Sequence, residues 1–396
     1  MNWFDHKHET LPRAELEQLQ LERLQALLAR LKRNVRRYRE SIGDVSIESL
    51  SDLARLPLTE PADLVKAFPY GMFALPLHEV TRLHSSVGPD GKQLVIGHTR
   101  NDLTQWGRLV ARQLAAAGVT SSDVIQTCFE PGITHAATGY TLGAEMLGAS
   151  VMPEDPFHIE YQLAMLQNYR ATVLVTTPTN ARELMDLLKN KGVDPQSLSL
   201  RTILLSRPIP PAERDELKIG LFAAVHCNFG VAEILDPGIC AECHEGNLHA
   251  NEDHFVVEAV NGELVLTTLC REAMPLLRYR TRIACERRIE RCACGRTGAI
   301  LVPGRRLDGR LRISEMPLYP RQISAVLEQT RAAGQPFQVE TSERHVAVFL
   351  KMTPAIFSDT MRGMMDLQQH IEAEFLARLG VEANVVFVES LPGDLV

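Results

Sequence analysis

No apolar run in this sequence approaches the roughly 20 residues that a membrane-spanning helix requires. The first eighteen residues, MNWFDHKHETLPRAELEQ, also lack the apolar core of a secretion signal. Excess positive charge is missing too: 42 Lys and Arg against 49 Asp and Glu leave a net charge of −7. That balance argues against a broad nucleic-acid or anionic-membrane surface. The basic stretch Arg30–Arg39 lies inside an amphipathic pattern and reads as the solvated face of a helix. There is no internal repeat and no low-complexity segment. These absences together read as a cytoplasmic protein with no membrane and no nucleic-acid partner.

What is present is ordinary for a globular chain, with 45% hydrophobic and 23% charged residues. A length of 396 residues suggests two or more domains. Eight cysteines, at 128, 227, 240, 243, 270, 285, 292 and 294, read in a cytoplasmic chain as thiols or metal ligands rather than a disulfide framework.

An apolar stripe of Leu16, Leu19, Leu24, Leu27, Leu28, Leu31, Val35 and Tyr38 predicts a first helical stretch. A second helix starts at the capping-box-like Thr99–Asp102 and closes at Gly118. Short apolar runs at 124–129, 171–177, 202–206 and 221–226 then alternate with helical patterns at 159–169 and 180–189. Such alternation predicts an α/β fold with a largely parallel sheet covered on both faces. A strand at 263–269 after the turn Asn261-Gly262 announces a β-rich subdomain, placed at about 230–304. From about Gly309 a compact α+β unit is expected, with helices near 320–329 and 360–379 and strands near 347–351 and 383–388. The division is therefore a large domain over 1–308 and a small mobile one over 309–396.

Several long landmarks resemble the phenylacetate–CoA ligase family of adenylate-forming enzymes: LEQLQLERL, SLSDLARLPLTEPADL, LGAEMLGASVMP, NEDHF, TTLCREAMPLLRYRTR and CACGRTG. They run over nearly the whole chain. The resemblance implies a large adenylate-forming domain followed by a small one. It also implies ATP-dependent activation of an aryl or acyl carboxylic acid as an adenylate, then transfer to coenzyme A. ATP, Mg²⁺ and coenzyme A are the cofactors implied if activity is retained, and relatives that dimerise imply a homodimer.

The nucleotide positions depart from the family pattern. Where relatives carry a Ser/Thr/Gly-rich phosphate loop, this chain reads Ser86-Val-Gly88-Pro-Asp-Gly91-Lys92. Pro89 removes a backbone donor. Asp90 puts a negative charge where triphosphate would sit, which costs roughly 1–4 kcal/mol at surface-like dielectric. As plain residues, Pro-Asp-Gly reads as a surface turn. The adenine segment becomes Leu205-Ser-Arg-Pro208, and the YGxSE-like motif becomes Phe229-Gly230-Val-Ala-Glu233, whose Glu is the Mg²⁺ contact the family implies. At the ribose position an expected Asp is Ile283, which accepts no hydrogen bond. The hinge keeps Gly304, Arg305 and Asp308, while SEMPLYP stands in place of the family's glycine motif. The sequence stops at Val396 ahead of the position of the family's adenylation lysine, so that lysine is not expected. Impaired or altered ATP chemistry is the reading that follows. Two alternatives stand beside it: a non-catalytic homologue binding an aryl acid, CoA thioester or partner protein, and adenylation without thioester formation.

Two further groups carry chemistry. Cys240-x-x-Cys243, His249 and Cys292-x-Cys294 supply soft thiolates and an imidazole suited to a closed structural Zn²⁺ site. The resemblance suggests Cys243, His249, Cys292 and Cys294 as the ligands, with Cys240 competing for the fourth place. Phe129, Thr134, His135 and Tyr140 match the stretch beneath which relatives bind the acid, and Glu130 and Thr134 would make that pocket more polar.

Overall fold

The computed structural model describes residues 3–129, 135–154, 158–313, 316–341, 345–358 and 360–391. Two compact units make up the chain: residues 1–86 with 93–305, and residues 87–92 with 306–396.

The first unit opens with α1 (His6–Glu9), α2 (Arg13–Asn34) and α3 (Arg36–Ile42). The apolar stripe predicted as one helical stretch is therefore two helices. Val35 adopts an extended φ/ψ of −113°/111° between them, which turns Tyr38 and Ile42 into the same core as Leu24, Leu27 and Leu31. Gln20, not Leu19, takes the buried place on α2, because its amide donates to the carbonyls of Glu252 and Phe255, both at 2.9 Å. Next come α4 (Pro61–Lys66), the hairpin of β1 (Arg82–Val87) and β2 (Gln93–His98), and α5 (Arg100–Ala116). The capping box expected at Thr99 and Asp102 is present, with both reciprocal bonds at 3.0 Å.

A five-stranded parallel sheet follows: β3 (Val124–Cys128), β4 (Ser150–Glu154), β5 (Val173–Thr176), β6 (Thr202–Leu205) and β7 (Ala224–Cys227). Its order is β4-β3-β5-β6-β7, and the crossovers include α6 (His135–Leu147), α7 (Ile159–Asn168), α8 (Pro178–Lys191) and α9 (Pro211–Gly220). Successive strand residues enter different cores: Val173, Val175 and Leu204 join one, Leu174, Ile203 and Leu205 the other. The sheet is thus covered on both faces, which is why its strands read as continuous apolar runs.

An antiparallel sheet of six strands completes the unit, in the order β10-β11-β12-β13-β9-β8. Its members are β8 (Cys240–Glu242), β9 (Leu248–Ala250), β10 (Phe255–Val260), β11 (Glu263–Thr268), β12 (Tyr279–Arg288) and β13 (Ile300–Arg306). Asn261 and Gly262, both at positive φ, make the tight turn joining β10 to β11.

The second unit has its own core, including Ile323, Val348, Ile371 and Phe375. Its elements are β14 (Leu311–Ile313), β15 (Met316–Leu318), α10 (Pro320–Leu327), β16 (Phe337–Thr341), β17 (His345–Lys351), α11 (Met361–Leu379) and β18 (Glu382–Val388). β17 pairs antiparallel with β16 and parallel with β18, so α11 is the crossover. Among the described residues no helix is long and apolar enough to cross a membrane.

Candidate metal centre and nucleotide site

Two short turns bring four metal-ligating side chains together. Between β8 and β9 the chain reverses through Cys243–Asn247, closed by Cys243 N–H to the Asn247 carbonyl at 3.0 Å and by Gly246 at φ +76°. Ahead of β13, Gly295 at φ +77° donates its N–H to the Cys292 carbonyl at 3.0 Å. β9 and β13 pair antiparallel, with Ile300 opposite His249, and this register holds the turns side by side. The ligand atoms of Cys243, His249, Cys292 and Cys294 all lie within 4.8 Å of one another. Cys243 Sγ is 3.8 Å from Cys292 Sγ, and Cys294 Sγ is 3.3 Å from His249 Nε2.

The surroundings suit thiolates held by a cation. His249 Nδ1 lies 2.9 Å from the Gly298 carbonyl, which makes Nδ1 the protonated nitrogen and leaves the Nε2 lone pair facing the sulfurs. Asn247 Nδ2 and the Arg296 N–H donate to Cys292 and Cys294 Sγ at 3.3 and 3.4 Å. Burial pushes the Cys243 thiol up to about 12 and raises Cys294 as well. At Cys292 burial also raises the pKa, but N–H and S–H donors outweigh it and the net shift is downward. Three thiols and one imidazole converging in a largely buried place form a set that a tetrahedral, thiolate-preferring ion fits.

Cys240 stands outside this group. It is fully buried at the start of β8, where burial first and the neighbouring Cys285 second raise its pKa well above the ordinary thiol value. Cys128 and Cys227 are buried in the core, and Cys270 is only partly covered.

Sequence reasoning missed the residues that hold the metal turns. Glu252, 2% exposed, accepts the Ala299 N–H at 2.8 Å and binds Arg13 and Arg287 at 2.5 and 3.0 Å. Gly298 is needed because a Cβ there would collide with the Ala250 carbonyl. The signals were the NEDHF and CGRTG landmarks, whose acid and glycine have no role as ligands.

The nucleotide positions are scattered over both units. In the loop 87–92, Gly88 N–H donates to the Lys92 carbonyl at 2.8 Å, Gly91 N–H to Gly88 at 3.2 Å, and Lys92 N–H to Pro89 at 3.3 Å. Those backbone donors are already used inside a short turn over Pro89–Gly91. The side chain of Asp90 lies outside the described parts, and Ser86 ends the first unit's part of β1.

In the first unit, β6 and β7 lead into the two segments expected at the adenine and Mg²⁺ positions. Asn228 ties them together: Nδ2 donates to the Ser206 carbonyl at 3.5 Å and to Asp236 at 3.3 Å, while Oδ1 accepts from Gln113 at 2.6 Å. Phe229 is buried, and Gly230 leaves space that Asp236 fills, since a Cβ there would collide with that carboxylate. Glu233 is 7% exposed and has no hydrogen-bond or ion-pair partner among the described residues. The Ser206 hydroxyl is likewise buried with no partner among them.

Ile283 sits on a bulge. Glu263 pairs with Ala284 but Val265 with Arg280, so three residues of β12 face one of β11. Arg282 turns to φ +59°, its N–H bonded to Glu263 at 3.0 Å, and Ile283 enters the main apolar core. Arg305 is exposed at the end of the first unit. In the hinge, Asp308 pairs with Arg306 at 2.5 Å.

Of the candidate acid pocket, Phe129 and Tyr140 are brought together, stacked at 5.5 Å and 5°. Thr134, Glu130 and the side chain of His135 lie outside the described residues.

Residues 316–392 match the family model of the AMP-binding enzyme C-terminal domain. A solved 2-hydroxyisobutyryl-CoA ligase, in complex with 2-HIB-AMP and CoA, superposes with a TM-score of 0.86. The match covers 99% of this chain and 89% of that one, at 20% identity. The fold is that of the adenylate-forming CoA ligases. A phenylacetate–coenzyme A ligase of Thermus thermophilus is 38% identical over 81% of this chain and 76% of that protein. Another, of Escherichia coli, is 30% identical over 97% of this chain and 94% of that protein. The chain belongs to the phenylacetate–CoA ligase family.

Proposed function

We propose that this protein keeps the ligase scaffold and an acid-binding pocket but carries out ATP-driven activation poorly. The observation that carries the reading is the loop at 87–92, whose Gly88, Gly91 and Lys92 N–H groups are bonded to its own carbonyls. A phosphate cradle works by aiming such donors at the ligand. Here they would have to break three bonds first, and Pro89 offers no N–H in return. The apolar placement of Ile283 supports the same reading, since the ribose hydroxyls gain no acceptor there. Phe129 and Tyr140, stacked on each other, lie in the stretch expected to carry the acid site, and an aryl or acyl carboxylic acid is the substrate class of this reading.

The metal in this reading is a structural Zn²⁺ held by Cys243, His249, Cys292 and Cys294. It would staple two turns of the six-stranded sheet, with no ligand position left open for chemistry.

A second reading is favoured by Glu233 and Ser206, a buried carboxylate and a buried hydroxyl that have no partner among the described residues and lie in the segments after β7 and β6. Such groups suit Mg²⁺ and a base, and under this reading the protein remains an AMP-forming ligase. Calorimetry with ATP·Mg²⁺ and with AMP separates the two. Silence up to millimolar nucleotide supports the first, whereas micromolar binding with pyrophosphate exchange on a panel of aryl acids overturns it.

A further inference from the structure

We infer that the metal-holding turn is also a latch that seats the amino-terminal segment, so that occupancy of the ion governs docking of Trp3–Glu9. The inference rests on the metal reading and concerns residues that are not ligands. Directly after the ligand Cys294, consecutive residues grip the segment. Gly295, free of a side chain, lies against the Trp3 ring, where a Cβ would sit at 3.5 Å. The Arg296 guanidinium carbon is 4.5 Å from the centre of that ring, a cation–π contact. Arg296 also binds the Glu9 carboxylate at 3.0 and 2.9 Å, and Thr297 N–H donates to the Glu9 carbonyl at 3.2 Å.

Both Arg296 and Glu9 are buried, at 6% and 7% exposure, so their pairing is an enclosed one. Glu9 passes the hold inward: its other oxygen accepts the Asp5 N–H at 2.9 Å. Asp5 in turn binds Arg112 at 2.9 Å, and Arg112 is forked onto Asp253 at 2.9 and 3.0 Å.

The stretch 294–298 lies in neither helix nor strand, so its position depends on its ends. One end is anchored by Gly298, which accepts from His249 and packs against Ala250. The other end is Cys294, whose Sγ meets His249 Nε2 at 3.3 Å and the Arg296 N–H at 3.4 Å, both weak sulfur contacts. An ion bound to all four sets that end firmly. Without it the Arg296 fork loses its fixed origin, and a buried ion pair is useful only while its geometry is held.

The chain has two tryptophans, Trp3 and Trp106. The Trp106→Phe variant therefore reports Trp3 alone, and tryptic cleavage after Lys7 in the unaltered protein gives an independent readout. Metal content is measured at each step. Chelation should raise acrylamide quenching of Trp3 and cleavage at Lys7 several-fold with the far-UV spectrum unchanged, and added Zn²⁺ should reverse both. Arg296→Ala should show the same release with the metal still bound. Metal removed with Trp3 still shielded and the bond after Lys7 still uncleaved overturns the latch alone. A folded protein isolated without metal, its Trp3 already shielded, overturns the latch and the metal reading together.

Discussion

The Nδ1 of His249 and the carbonyl oxygen of Gly298 lie 2.9 Å apart, and this one bond decides which imidazole nitrogen faces the three thiols. It depends on two backbones approaching more closely than any side chain allows, because a Cβ at residue 298 would run into the Ala250 carbonyl. Gly298→Ala should therefore push β9 and β13 apart. We expect a loss of about 1–3 kcal/mol in urea unfolding, the usual scale of overpacking. Weaker metal retention in competition with a chromogenic chelator should accompany it. A variant with normal stability and metal retention would show that the close approach is dispensable.

A second prediction concerns His254, which is buried beside Asp253 at 3.7 Å. Burial, above all, lowers its pKa from 6.5 to about 4; Asp253 opposes the shift, while Arg112, Arg23 and His8 add to it. As pH falls the unfolded chain takes up the proton first, so stability declines from about pH 6.5 and the decline ends near pH 4. Over that window the loss is on the order of 3 kcal/mol. His254→Gln removes the titrating group, and its urea midpoint should fall less between pH 7.5 and pH 5 than that of the unaltered protein. Equal slopes would place the acid sensitivity elsewhere.

The parallel sheet was legible because β5 and β6 are buried on both faces and so appear as unbroken apolar runs. β4 was not marked as a strand, and β8 and β9 have three residues each, too short for any period to register. The break at Val35 was hidden for a different reason: both helices use the same apolar spacing, and only the extended backbone between them separates the faces. Four of the five cysteine and histidine candidates converged, since soft ligands in short knuckles leave a local trace. Glu252 and Arg296 showed only as members of the NEDHF and CGRTG landmarks and not by their roles, because their partners Arg13 and Glu9 are 239 and 287 residues away in sequence.

Ile283 offers the sharpest test of the nucleotide reading. The bulge at residues 281–283 is held by the Arg282 N–H bond to Glu263, which fixes the backbone that presents residue 283. The Ile283 side chain packs in the apolar core at 9% exposure. Ile283→Asp should supply an acceptor for the ribose hydroxyls and strengthen AMP binding about tenfold, equivalent to about 1.4 kcal/mol. The same carboxylate, uncompensated in the free protein, should reduce stability by about 1–3 kcal/mol. Ile283→Asn, which suffers a similar burial cost with a weaker acceptor, should gain less affinity for comparable destabilisation. Calorimetry with AMP and urea unfolding on all three proteins reads both quantities. If the aspartate variant folds and its AMP affinity is unchanged, the isoleucine is not what limits ribose binding, and the closed turn at 88–92 becomes the place to look.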